Sequence, residues 1–132
     1  MDQAATEQAR AAMPFAGELG LEILSAAPDE VRGRLAWEER LCTAGGVLHG
    51  GALMALADSA GALCAFLNLA EGAGGTATIE SKTNFFRAVR KGNVHARSRL
   101  LHRGRTTIVV ETDLHDDAEK HVARVTQTQA VL

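Results

Sequence analysis

Two spacings of apolar residues divide the chain. From Thr76 onward, apolar and β-branched residues tend to recur at every second position, over 76–86, 94–101, 106–114 and 121–132. A period of two marks strands with one covered face. Residues 21–27 and 31–37 carry the same pattern, and Pro28-Asp29 reads as the turn between them. Residues 50–70 behave differently. They are apolar nearly all round, which predicts one long buried helix with other elements wrapped about it. Gly72-Ala73-Gly74-Gly75 reads as its stop. Residues 3–12 are rich in helix formers, and Pro14 reads as the end of an N-terminal helical segment over 1–14. The turns at 90–93, 103–105 and 116–119 are short, which predicts antiparallel neighbours. The order is therefore helix, two strands, central helix, four strands. It predicts an α+β class: an antiparallel sheet wrapped around one long central helix, in a single domain over 1–132.

Composition narrows the functional classes. A formal net charge of -2 argues against a nucleic acid or an anionic membrane as partner. The apolar stretch at 41–70 is long enough to suggest a membrane span. Asp58 lies near its centre, where an acid costs about 2.5–3.5 kcal/mol, and that excludes the reading. The N-terminus shows no basic, apolar, small-residue signal, so a cytoplasmic location is expected. Cys42 and Cys64 form no C-x-x-C pair and are expected as reduced, buried thiols. His49, His95, His102, His115 and His121 show no metal spacing with each other or with the cysteines, so no metal is expected.

Asp58 is the one residue whose chemistry the pattern does not absorb. It is the only charged side chain between Arg40 and Glu71. Burying a carboxylate costs several kcal/mol, of the order of 3–5, unless it is paired, hydrogen-bonded or protonated. Its helical neighbours are Met54, Ala55, Gly61, Ala62 and Ala65, four of them very small, which leaves room for a substrate or another chain. Leu53, Leu56, Ala60, Leu63 and Leu67 form the opposite stripe, suited to packing on a sheet. Close helix packing explains a small-residue face equally well. Before the helix stands His49-Gly50-Gly51, where free helix N–H groups can polarise a carbonyl or hold an oxyanion. A plain glycine-rich loop is the competing explanation, and a structural role competes for His49.

The stretch Val47-Leu48-His49-Gly50-Gly51-Ala52-Leu53-Met54-Ala55-Leu56-Ala57-Asp58-Ser59-Ala60 resembles the signature of hotdog-fold acyl-CoA thioesterases of the phenylacetic-acid-degradation (PaaI-like) type. The resemblance continues through Thr76 to Arg87, Gly104-Arg105-Thr106 and Val122 to Thr128, and spans roughly residues 15–132. It implies a hotdog fold and hydrolysis of an acyl-CoA to free acid and coenzyme A. By position it implies that the Gly50 N–H polarises the thioester carbonyl. Asp58 then attacks the thioester or activates water, His49 helps orient the substrate carbonyl, and Thr78 helps place the water. It also implies an active site shared between two subunits of a homodimer, with dimers pairing into a tetramer. Coenzyme A is part of the substrate, and no separate cofactor is implied.

Thr43 stands where many relatives have Asn or Gln, and Ala62 where some have Ser or Thr. Thr43 and Gly51 are expected on the substrate side of the site. The phosphates of coenzyme A call for cations, for which Arg87, Arg90, Arg103 and Arg105 are the candidates, with Lys91 beside Arg90. Glu80 and Lys82 alternate on one strand face and are expected at a surface or interface. Two other functions compete with the thioesterase: a non-catalytic acyl-CoA-binding or scaffold protein, and an acyl thioester hydratase.

Overall fold

The alternating stretches close into one sheet. A computed structural model describes residues 1–132. Two helices, α1 (Gln3–Ala12) and α2 (Pro14–Leu19), precede strands β1 (Glu22–Ala26) and β2 (Val31–Ala36). Short 3-10 turns at Glu39–Leu41 and Ala44–Gly46 lead into α3 (Gly50–Phe66). Then come β3 (Thr76–Phe85), β4 (Asn93–Arg103), β5 (Thr107–Asp116) and β6 (His121–Val131). All six strands join one antiparallel sheet in the order β1-β2-β4-β5-β6-β3. The sheet packs on α3 through a single core. Val31, Leu35, Val94, Ile108, Val110, Leu114 and Val125 from the strands share it with Leu53, Leu56, Ala57, Ala60 and Cys64 from the helix. This is the α+β architecture the pattern predicts, and every strand end matches within two residues, the largest differences falling at the C-terminal ends of β4 and β5.

Four expectations need correction. First, α3 ends at Phe66, six residues before Gly72. Asn68 ends it instead: its Nδ2 donates to Cys64 O at 2.8 Å and to Pro28 O at 2.7 Å, so the side chain replaces a helical N–H and ties the end to the β1–β2 turn. Second, the sheet covers α3 on one side only. Gly51, Met54, Asp58 and Phe66 are exposed. Third, Pro14 opens a second helix rather than only closing the first. It occupies the first helical position, where its missing N–H is no loss, and α2 then stops at Gly20, whose φ of 81 is left-handed. Fourth, β3 and β4 are sequential but not adjacent. The chain crosses the sheet between them, so β3 pairs with β6 and its other edge is open.

The N-terminal helix is firmly attached. The Asp2 N–H donates to Ile23 O at 2.9 Å, the Ile23 N–H to Thr6 Oγ1 at 2.9 Å, and Arg10 Nε to Leu21 O at 2.7 Å. Cys64 is sealed in the core, where burial, reinforced by the Asp29 and Glu30 charges, pushes its thiol up to about 11.

The outer face of the sheet is polar and centred on Asp113. This carboxylate accepts from Arg124 Nε at 2.9 Å and pairs with His121 Nε2 at 2.7 Å, with Arg99 3.8 Å away. Burial pushes Asp113 upward, but the bonds to Arg124 and His121 outweigh it and hold the carboxyl below its ordinary value. A depressed folded-state pKa stabilises the fold above the unfolded value of about 3.9, and that stabilisation is lost as pH falls through the folded value. In urea titrations from pH 7 to pH 2, the stability gap between parent and Asp113→Asn is therefore widest near neutrality and narrows below about pH 3.9.

Candidate active site

The approach to α3 is pinned from several sides. Leu48 N–H donates to Val89 O at 2.9 Å, and His49 N–H to Leu41 O at 2.9 Å. Trp37 Nε1 donates to Gly46 O, and Arg90 Nη1 to Gly45 O, both at 3.0 Å. The loop thus delivers the first turn of α3 to a fixed place. There His49 caps the helix: its Nδ1 accepts the Gly51 N–H at 2.7 Å. A neutral imidazole accepting at Nδ1 carries its proton on Nε2, so His49 presents a donor outward. The cap consumes the Gly51 N–H and leaves the Gly50 N–H with no partner in the chain. A Cβ at Gly50 would lie 3.1 Å from the Phe85 ring, so any side chain there would press the ring aside by a few tenths of an ångström.

Two turns along, on the exposed face, stands Asp58. Thr78 Oγ1 donates to Asp58 Oδ1 at 3.0 Å, and Gln127 Nε2 donates to the same oxygen at 3.2 Å. Gln129 Nε2 donates in turn to Thr78 Oγ1 at 2.7 Å. That last bond commits the Thr78 proton to Asp58. The result is a one-way relay from amide to hydroxyl to carboxylate, made by neutral groups. Both bonds fall on Oδ1, so Oδ2 has no hydrogen bond from the chain. No cation is paired with Asp58: the ion-paired arginines are Arg32, Arg34, Arg40, Arg97, Arg99 and Arg124.

Gln127 and Gln129 are fully buried on β6 and were not among the expected site residues. Their signal is present in the alternation. Both share the core-facing parity of Ala123 and Val125, where an amide is out of place unless it has work to do. Gly61 makes room for Gln127: a Cβ there would lie 2.1 Å from Gln127 Oε1. That oxygen has no donor of its own. Turning the amide over would point its oxygen at the Asp58 carboxylate.

The remaining expected residues divide into two groups. Thr43, on the loop, and Arg87 and Arg90, after β3, lie at the Gly50 end of the sheet. Arg103, at the end of β4, and Arg105, on the β4–β5 turn, lie at the opposite end, where Arg103 stands in register with Ile108, Gln129 and Thr78. One chain therefore does not gather the four arginines. No group of three or more His, Cys, Asp or Glu side chains converges in a metal-holding arrangement, and no helix is long and apolar enough to cross a membrane.

A helix packed on a curled antiparallel sheet, with an acid and a free amide on its open face, has clear relatives. The family model described as "Thioesterase superfamily" matches residues 45–123, from the loop before His49 into β6. A Mycobacterium tuberculosis protein named "Putative esterase" is 34% identical over 114 residues, 85% of this chain and 81% of its own length. The crystal structure of a Haemophilus influenzae thioesterase superposes with a TM-score of 0.84 at 30% identity, covering 89% of this chain and 82% of that one. A mutant thioesterase of Pseudomonas aeruginosa gives a TM-score of 0.89 at 29% identity, covering 96% and 93%. The chain belongs to the thioesterase superfamily and has the hotdog fold of these structures, and its general chemistry is hydrolysis of acyl thioesters.

The packing of Gln127 against Gly61 makes a specific expectation. Gly61→Ala costs about 1–3 kcal/mol, read by chemical denaturation, because the amide must move. Adding Gln127→Ala removes the clash, so the double variant is more stable than the sum of the two single losses.

Proposed function

We propose that this protein hydrolyses acyl-CoA thioesters, with Asp58 as nucleophile or general base and the Gly50 N–H polarising the thioester carbonyl. The observation that carries this reading is the carboxylate without a counter-ion, held at one oxygen by Thr78 and Gln127, on the same open helix face as an unpartnered amide. Negative charge grows on the carbonyl oxygen during attack, and a fixed N–H donor lowers that barrier; losing one costs about 2.7–4 kcal/mol. His49 Nε2–H is a second donor beside it, and Thr78 steadies the acid and its water.

Helix geometry supports a shared site. Gly50 and Asp58 are eight residues apart, about 12 Å along the axis. A reacting carbonyl needs both partners within about 3 Å of its atoms. The amide and the acid that serve one thioester therefore come from two copies of the chain. A two-fold axis near Met54 sets Gly50 of each copy against Asp58 of the other. β3 runs opposite to α3, with Phe85 at Gly50 and Thr78 at Asp58, so the same axis meets β3 at Ser81 or Lys82. The open edge of β3 is available for this pairing, and Met54, Ile79, Phe85 and Phe86 are exposed near it. Centring on Ser81 sets Glu80 opposite Lys82 twice, whereas centring on Lys82 opposes two lysines; the first is favoured. This arrangement also brings Arg87 and Arg90 of one copy toward the end of the site where Arg103 and Arg105 of the other lie, which suits the phosphates of coenzyme A. Dimers pairing into a tetramer and a reducing, cytoplasmic setting for the free Cys42 and Cys64 complete the reading.

Asp58→Asn is expected to lower acyl-CoA hydrolysis at least about a hundredfold while acyl-CoA still binds, measured by thiol release and calorimetry. Equal thiol release from parent and variant would remove Asp58 from the chemistry. Sedimentation tests the pairing: Glu80→Lys and Lys82→Glu each weaken the dimer, and the double charge reversal restores it.

A further inference from the structure

A groove of ≈ 640 Å³ runs alongside the proposed site, between α1 and the C-terminal half of α3. Ala5, Ala9 and Met13 form one wall, and Ala62, Leu63 and Phe66 the other. Ala62 is one helical turn beyond Asp58 on the same face, about 6 Å along the axis, and Phe66 is about 12 Å beyond it. Thr76 closes the floor two residues before Thr78, which holds Asp58. Asp58 and Thr78 do not line the groove, but its near end lies about one helical turn from the carboxylate and it leads away from it.

Its lining is mostly apolar and carries no cation; Gln8 and Thr76 add two neutral polar side chains. Its only carboxylate, Asp2, is already engaged as the cap of α1, accepting the Ala5 N–H at 3.0 Å. An anionic tail finds no counter-ion there. Small residues on both walls leave the width, and the anchors of α1 to β1 keep that wall in place. α1 lies outside residues 45–123, so this wall is supplied by a part of the chain beyond the family match.

We infer that this groove receives the acyl chain of the substrate and selects medium-length, uncharged alkyl groups, long enough to reach Phe66. The inference rests on the acyl-CoA reading of the Asp58 site. A short acyl group stops at Ala62 and leaves the rest of the groove wet. Each methylene placed beyond it is removed from water, and burial of that kind increases affinity severalfold per carbon. Ala62 and Ala5 are then the residues that set chain length.

Two measurements in parallel test this. The first is kcat/KM for acetyl-, butyryl-, octanoyl- and benzoyl-CoA. The second is the Kd of S-butyl- and S-octyl-coenzyme A, thioethers that cannot be hydrolysed. The parent is expected to favour octanoyl over acetyl and benzoyl by tenfold or more, and S-octyl over S-butyl by a similar factor. Ala62→Phe, which fills the groove beside Asp58, and Ala5→Leu, which narrows the far wall, each reduce both length ratios at least fivefold. Folding and assembly mass are checked by circular dichroism and sedimentation. Flat length profiles in the parent, a preference for benzoyl, or equal losses at every length overturn the groove while leaving the thioesterase reading intact. Length-dependent thioether binding without turnover of any thioester does the reverse. A change of assembly mass in either variant identifies the groove as a contact between copies and also overturns the inference.

Discussion

A carboxylate without a counter-ion has to be held by dipoles, and much of this molecule is arranged around that requirement. Asp58 takes its two hydrogen bonds from a hydroxyl and an amide, both neutral. A paired arginine would hold the acid more strongly but would also spend its charge. Neutral donors fix the position of Oδ1 and leave Oδ2 without a hydrogen bond from the chain. The arrangement has structural costs. Gly61 gives up its side chain, Gln127 Oε1 goes without a donor, and two amides occupy core positions on β6. A lone buried acceptor without a partner costs about 1–3 kcal/mol.

The second constraint is the rise of a helix. An amide at the start of α3 and an acid two turns later cannot meet on one straight helix, whatever their side-chain conformations. The sheet order is consistent with the remedy proposed above. Because the chain crosses over between β3 and β4, β3 becomes an edge, next to the open face of α3. A long strand with an unpaired side is ordinarily an aggregation liability, and pairing in one charge-matched register removes it.

Much of the fold was legible in the chain because a period of two is unmistakable when turns are short. β5 and β6 were legible for that reason, and so was the long apolar helix. The end of α3 was not. A glycine run is a louder signal than one asparagine, yet Asn68 is the residue whose side chain satisfies a carbonyl of the last helical turn. The β3–β4 crossover was also hidden, since a seven-residue link fits a hairpin as well as a path across the sheet. Asp58, Gly50 and His49 were marked as site candidates by their local oddity. Gln127 and Gln129 were missed because their oddity is positional: each looks ordinary until its strand face is known. The uniform hydrophobicity of α3 concealed its exposed side, since Met54 and Phe66 outside the core are the same kind of residue as Leu53 and Leu56 within it.

β6 has a consequence for how the protein comes into being. It is synthesised after every other strand, yet it sits inside the sheet, between β5 and β3, and carries both glutamines. Until it inserts, β3 has no neighbour in the sheet, Asp58 lacks the Gln127 amide and Thr78 lacks the Gln129 amide behind it. The emerging polypeptide can assemble most of its core around the helix while the donors from β6 to Asp58 and Thr78 are still missing. They arrive together in one late step, when a single ribbon slots into the middle of a waiting scaffold.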